Sequence, residues 1–285
     1  MVCHIFPRPF IPCIMDWRLI VPGEPGWGEV DWGQAREVRL RPGQSAAVAL
    51  AGSTWRGSRR LSPTDVLQAA QALTNHSLAA RQGELCQGFV PLEGGHRLGV
   101  CGVMGAKGFT EITSLCVRIA HEIRGAGADV FPRLRGASAL IVGPPGAGKT
   151  TLLRDIVRLS SLEGTQVGVA DERGEIAGCR AGRPQLDVGP NTDVLTGMEK
   201  AKALLLLIRA MAPQLVATDE IGGPEDAAAL LDAVKCGVRI LATAHGTAGT
   251  PHRRGMEALF RAGAFDRLVL LSAPGQKPLV REINP

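Results

Sequence analysis

The chain has 285 residues, 45% of them hydrophobic and 21% charged, enough to bury a core in one large or two smaller domains and typical of a globular protein. A formal net charge of +5, from 32 Lys+Arg against 27 Asp+Glu, permits anionic partners such as nucleotides or acidic lipid surfaces without forming a nucleic-acid footprint. Seven scattered cysteines with no CxxC pair read as reduced thiols of a cytosolic protein without a zinc site, and the longest run free of Asp, Glu, Lys and Arg, Val66 to Ala80, is too short to span a membrane.

The leader MVCHIFPRPFIPCIM is broken by Pro7, Pro9 and Pro12 and is followed by no small-residue cleavage site. It reads as a disordered extension of residues 1–15, or as translation begun upstream of Met15. From Asp16 to Gly57 the sequence is rich in Gly, Pro and Trp, with one short strand at Glu37 to Leu40. A helix follows over Ser62 to Leu73: Ser62 is an N-cap, Pro63 suits the first helical position, and Asp65 closes a capping box. Two strands joined at Glu93-Gly94-Gly95 come next, then a strand at Leu115 to Ala120, completing a small α+β unit over residues 16–132.

Beyond GAGADVFPRLRG the texture changes. Strands are predicted at Ala139 to Val142, Gln166 to Ala170, Gln214 to Thr218, Val238 to Ala242 and Arg267 to Leu271. Helices are predicted at Lys149 to Ser161, Met198 to Met211 and Pro224 to Lys235. Short strands alternating with helices over residues 133–285 imply an α/β domain with a mainly parallel sheet covered on both faces.

The strongest chemical signal lies where ALIV runs into GPPGAGKTT. Gly143 to Thr150 fits G-x-x-x-x-G-K-[ST] between a strand and a helix, the context a phosphate-binding loop requires. Glycines let backbone N–H groups turn inward, and since Pro144 and Pro145 have none, the donors run from Gly146 through Ala147, Gly148, Lys149 and Thr150 to Thr151. The helix N-terminus adds its positive end. Lys149 is expected to neutralise the β- and γ-phosphates of ATP, and the Thr150 hydroxyl to coordinate Mg²⁺.

Such a loop needs a carboxylate at the end of a neighbouring strand, and LVATDE supplies one. Asp219 is assigned to Mg²⁺ through water and Glu220 to polarising the attacking water. An acidic pair there is also a common helix cap, so its distance from the loop carries the reading. A lone histidine at a strand end is ordinarily a core residue. His245, in LATAHG on the strand after Asp219-Glu220, stands instead where strand ends converge on a ligand, a place from which a polar side chain can sense the γ-phosphate, and that role is the expectation here over the core one.

Several segments carry a family resemblance: REVRLRPG from Arg36, GGHRLG from Gly94, SLCVRIAHEIRG from Ser114, VADERGEIAGC from Val169, DVGPNTDVL from Asp187, LIRAMAPQLVATDEIG from Leu207, and LATAHG. Together they resemble the stage III sporulation protein AA family, from about Arg36 to the C-terminus. That family looks like the ATPases of type II secretion, type IV pilus and type IV secretion machines, with a small N-terminal domain on a RecA-like core.

The resemblance implies a homo-oligomeric, six-membered ring serving membrane proteins of the channel between mother cell and forespore. The ring would be cytoplasmic, on the cytosolic face of that complex in the mother cell, without inserting into the membrane or binding nucleic acid. It also implies that Glu172, beside Asp171, belongs to an acidic box near the nucleotide and that His245 belongs to a histidine box. Arg118, Arg124, Arg173, Arg180 and Arg183 are candidate donors to the γ-phosphate across a subunit boundary, with Arg118 preferred. The chain has no tyrosine, and HSLAARQGELCQG departs from the aromatic and acidic stretch the family often carries, which bears on the N-terminal domain's partner surface. Two other classes compete: a nucleotide-dependent scaffold, and a nucleic-acid motor using Trp55-Arg56-Gly57-Ser58-Arg59-Arg60 as a basic loop.

Overall fold

Alternating apolar residues build the first sheet. In the computed structural model, which describes residues 20, 23–86, 88–105, 108–247, 250–251 and 256–283, the leader lies outside the described residues. Strand β1 (Ala35–Leu40) buries Ala35, Val38 and Leu40, and pairs antiparallel with β2 (Ser45–Leu50), which pairs with β3 (Thr54–Arg60). After helix α1 (Pro63–Leu73) come β4 (Val90–Pro91), β5 (Arg97–Gly105) and β6 (Gly108–Arg118). Their order is β3-β2-β1-β6-β5-β4, and every pairing is antiparallel.

The start of α1 follows its sequence. Ser62 N–H donates to Asp65 Oδ2 at 2.7 Å, and Asp65 N–H donates back to Ser62 Oγ at 3.1 Å. Arg59 grips the same carboxylate with two nitrogens at 2.9 Å, and those bonds hold the Asp65 carboxyl far below the usual carboxylate range. The basic stretch Trp55 to Arg60 is therefore an edge strand rather than a loop. Trp55 also packs its ring 5.0 Å from that of Trp27. Strands β2 and β3 had little sequence signature, because SAAVAL offers small residues and TWRGSRR is polar on its exposed face.

The second sheet takes in β7 (Ala139–Gly143), β8 (Val167–Asp171), β9 (Thr192–Thr196), β10 (Leu215–Thr218), β11 (Arg239–Thr247), β12 (Thr250–Pro251), β13 (Arg267–Leu270) and β14 (Leu279–Glu282). Its path is β14-β13-β7-β11-β10-β8-β9, parallel from β13 to β9, with β12 folded back on the end of β11. Helices α2 (Lys149–Leu162), α3 (Lys200–Met211), α4 (Pro224–Lys235) and α5 (Glu257–Arg261) accompany it. Strands β7, β8 and β10 are buried at every position, which is why continuous apolar runs marked them. The edge strands β9 and β14 are half exposed and gave no such run. Strand β11 continues past the expected end at Ala242, because Thr243, Ala244 and His245 stay in register with Ile141, Val142 and Gly143.

Contacts divide the chain into two units. One runs to Glu122 and takes in Gly178–Gln185; the other comprises Ile123–Ala177 and everything from Leu186. The division falls before the sequence-based boundary at 132/133, since Gly127 N–H donates to the buried Asp155 carboxylate on α2 at 2.7 Å.

Candidate active site

The loop between β7 and α2 is shaped by two different demands on glycine. At Gly143 the backbone is ordinary, but a Cβ would lie 2.7 Å from the Leu271 carbonyl and 3.0 Å from its side chain, so close packing excludes any larger residue. At Gly146 and Gly148 the demand is conformational, with φ of 74° and 93°. The ladder of α2 starts with Leu152 N–H donating to the Gly148 carbonyl at 2.9 Å. The amides of Lys149, Thr150 and Thr151 therefore project from the helix N-terminus, which favours an anion there. No side chain caps that end.

Lys149 is only 8% exposed, and its Nζ donates to the carbonyls of Gly143 at 3.0 Å and Pro144 at 3.1 Å. Burial pulls the Lys149 ammonium below its ordinary value, with the Glu220 carboxylate opposing. The third neighbour of Nζ is His245 Nδ1 at 3.4 Å. The other ring nitrogen, Nε2, contacts Glu220 Oε1, and Glu220 Oε2 lies 3.7 Å from Arg173. Lys149, His245, Glu220 and Arg173 thus form one chain of contacts above the ends of β7, β10 and β11.

Asp219, next to Glu220, is 5% exposed. Burial pushes its carboxyl up to about 6, the carboxylates of Asp171, Glu175 and Glu220 add to that, and the Lys200 ammonium opposes it. A crowded, desolvated carboxylate of this kind gains from a cation. Among the described residues no cluster of three His, Cys, Asp or Glu side chains could hold a metal alone. Thr150 and Asp219 offer a hydroxyl and a carboxylate, hard oxygen donors of the kind that could hold a divalent cation together with ligands from outside the chain.

The acidic pair after β8 divides its duties. Asp171 is fully buried, and its carboxylate accepts the N–H groups of Glu175, Ile176 and Ala177 at 2.8, 3.1 and 2.8 Å, so it folds the following loop. Glu172 is exposed and makes no ion pair among the described residues. Of the five candidate arginines, Arg173 reaches Glu220. Arg124 pairs with Asp187 at 3.2 Å and Arg180 with Glu93 at 3.3 Å. Arg118 and Arg183 are exposed, Arg118 at the end of β6 in the N-terminal unit.

Some contributors had no signature in the sequence. Arg154 of α2, 7% exposed, donates to the carbonyls of Ile176 and Glu175 at 2.5 and 2.7 Å, binding the same loop that Asp171 folds. Thr243 and Lys200 hold Glu220 by its backbone. Contacts made through main-chain atoms impose no residue spacing that a motif search could find.

The parallel sheet order and the strand–loop–helix at Gly143 define a RecA-like P-loop fold. It is shared with the ATPase DotB of Legionella pneumophila, at a TM-score of 0.56 and 13% identity over 83% of this chain and 72% of that one. It is shared also with the pilus retraction motor PilT, solved with bound ADP, at a TM-score of 0.57 and 17% identity over 88% of this chain and 80% of that one. The chain belongs to the family of sporulation stage III protein AA, whose profile matches residues 28–284. Stage III sporulation protein AA of Bacillus subtilis (strain 168) is 38% identical over 259 residues, covering 86% of this chain and 84% of that one. No helix among the described residues is long and apolar enough to cross a membrane.

Proposed function

We propose that the protein is a Mg²⁺-dependent ATPase of the secretion-ATPase type, working as a homo-oligomeric ring. On this reading it energises assembly of, or transport through, a channel complex between mother cell and forespore, from the cytosolic face of that complex. The observation that carries the reading is the meeting of Glu220, His245 and Lys149 beside the Gly143–Thr150 loop.

Backbone donors from Gly146 to Thr151 and the Lys149 ammonium would bind the phosphates of ATP. Thr150 and Asp219 would hold Mg²⁺, which when bound supplies positive charge to the β- and γ-phosphate oxygens. Glu220 accepts a proton from the attacking water, and His245 fixes the orientation of its carboxylate and senses the γ-phosphate. Lys149 leaves the carbonyls of Gly143 and Pro144 for phosphate, exchanging neutral acceptors for charged ones.

Phosphate release from MgATP by the purified chain tests this reading. Turnover should be present in the wild type and absent from Lys149→Ala. Release no faster than in Lys149→Ala would overturn it.

A further inference from the structure

Helix α3 begins with a lysine in a place that disfavours one. The Lys200 side chain is 8% exposed, and its neighbours along the helix, Ala201, Ala203, Leu204 and Leu207, are buried. An ammonium is retained in such surroundings only when acceptors meet it. Lys200 Nζ donates to the main-chain carbonyl of Glu220 at 2.6 Å and lies 3.8 Å from Asp226 Oδ2 in the first turn of α4.

Glu220 is itself in an unusual state. Its φ is 44°, a left-handed conformation that the Cβ of a glutamate disfavours. Backbone conformations of this kind persist only where the surroundings over-determine them. Here Glu220 N–H donates to Thr243 Oγ1 at 2.6 Å, and Ile221 N–H donates to the Thr243 carbonyl at 2.9 Å. Thr243 from β11 thus takes the amide side of the residue and Lys200 from α3 the carbonyl side. The two come from elements far apart in the chain and converge on one peptide unit. The carboxylate this backbone carries is the one in contact with His245.

We infer that Lys200 is a positioning residue for Glu220: by holding the Glu220 carbonyl it keeps that residue left-handed and so directs the carboxylate to His245 beside the Lys149 loop. Lys200 does not touch nucleotide or water in this account; its role toward Glu220 is geometric and separate from the charge its ammonium presents to Asp219. The inference rests on the proposed role of Glu220 in hydrolysis, but the conformational part of it stands apart from any activity.

The test uses Lys200→Met, which keeps length without the donor, and Lys200→Arg, which keeps charge and donors. Lys200→Met should unfold within a few degrees of the wild type, lose at least about tenfold in kcat, and change KM for MgATP by less than about threefold. Lys200→Arg should recover part of the loss. On a Glu220→Gln background, single-turnover hydrolysis should show no further effect of Lys200→Met, because two residues acting as a unit are not additive. In a crystal structure of Lys200→Met, Glu220 should leave positive φ. A folded Lys200→Met with unchanged kcat, an equal proportional loss on the Glu220→Gln background, or Glu220 still left-handed in the crystal would each overturn the inference. Should the wild type hydrolyse no ATP, the proposed function falls, and the backbone of Glu220 in Lys200→Met crystals still decides the role of Lys200.

Discussion

Glu220 and His245 meet side chain to side chain from adjacent parallel strands, Oε1 against Nε2, while the other nitrogen of the same imidazole lies 3.4 Å from Lys149. A histidine serving only the core would be buried among apolar residues, whereas 44% of the His245 side chain is exposed. Its removal should therefore cost function more than stability. In His245→Ala we expect less than about 1 kcal/mol of lost stability and a fall in kcat far larger than any fall in nucleotide affinity. Thermal unfolding lowered by many degrees, with normal turnover per folded molecule, would return His245 to the core.

Glu220→Gln keeps the size of the side chain and its reach toward His245 but can no longer take up a proton. The variant should bind MgATP with near wild-type affinity and hydrolyse it at least about a hundredfold more slowly, so that binding and turnover separate in one protein. Turnover at the wild-type rate would assign the attacking water to another base.

His96, in GGHRLG, gives a prediction about acid. It is 1% exposed, its Nδ1 accepts the Ala120 N–H at 2.9 Å, and burial, aided by the charge of His121, lowers its pKa from 6.5 to about 4. With the folded value below the unfolded one, the unfolded chain binds the proton more tightly. Stability is therefore complete above 6.5 and declines as pH falls toward about 4, by roughly 3 kcal/mol from this residue. Thermal or urea unfolding followed across that window should show the decline in the wild type and a shallower one in His96→Gln. Parallel pH profiles would remove His96 as the cause.

The strand Thr54–Arg60 bears on the nucleic-acid reading. Trp55 is engaged with Trp27 and Arg59 with Asp65, so neither is offered to a single strand. Single-stranded DNA at physiological salt should leave ATP turnover unchanged, and any binding should weaken steeply with salt. Several-fold stimulation that disappears on changing Arg56, Arg59 and Arg60 would favour a motor.

Among the described residues, Arg173 is the candidate arginine seen to reach Glu220, by an exposed contact at 3.7 Å. Exposed pairs of that length are weak, and a charge supplied by a neighbouring subunit remains the expectation for a ring. Turnover per subunit should then rise with protein concentration, and mixing Lys149→Ala with Arg118→Ala subunits should restore part of the activity. Turnover independent of concentration, with no rescue on mixing, would mean that each chain completes its own site.

What the sequence determined by itself is what depends on neighbours in the chain. The strand, glycine turn and lysine-bearing helix from Ala139 to Leu162 were legible because a buried apolar run, two left-handed glycines and a helix start all lie within one short segment. The capping box at Ser62 and Asp65 was legible for the same reason. Tertiary structure decided the rest. Asp171 and Glu172 are identical in kind on paper, yet one spends its carboxylate on three backbone amides while the other stays exposed. Lys200 looks like any lysine on an amphipathic helix until α3 packs its first turn under the Glu220 carbonyl. Strands β9 and β14 exist because the sheet has edges to be paired, a demand set by the neighbouring strand's free amides and carbonyls. Hydrogen bonds to main-chain atoms are blind to residue type, so the groups that aim the site's side chains leave no pattern in the sequence and are fixed only when distant elements pack.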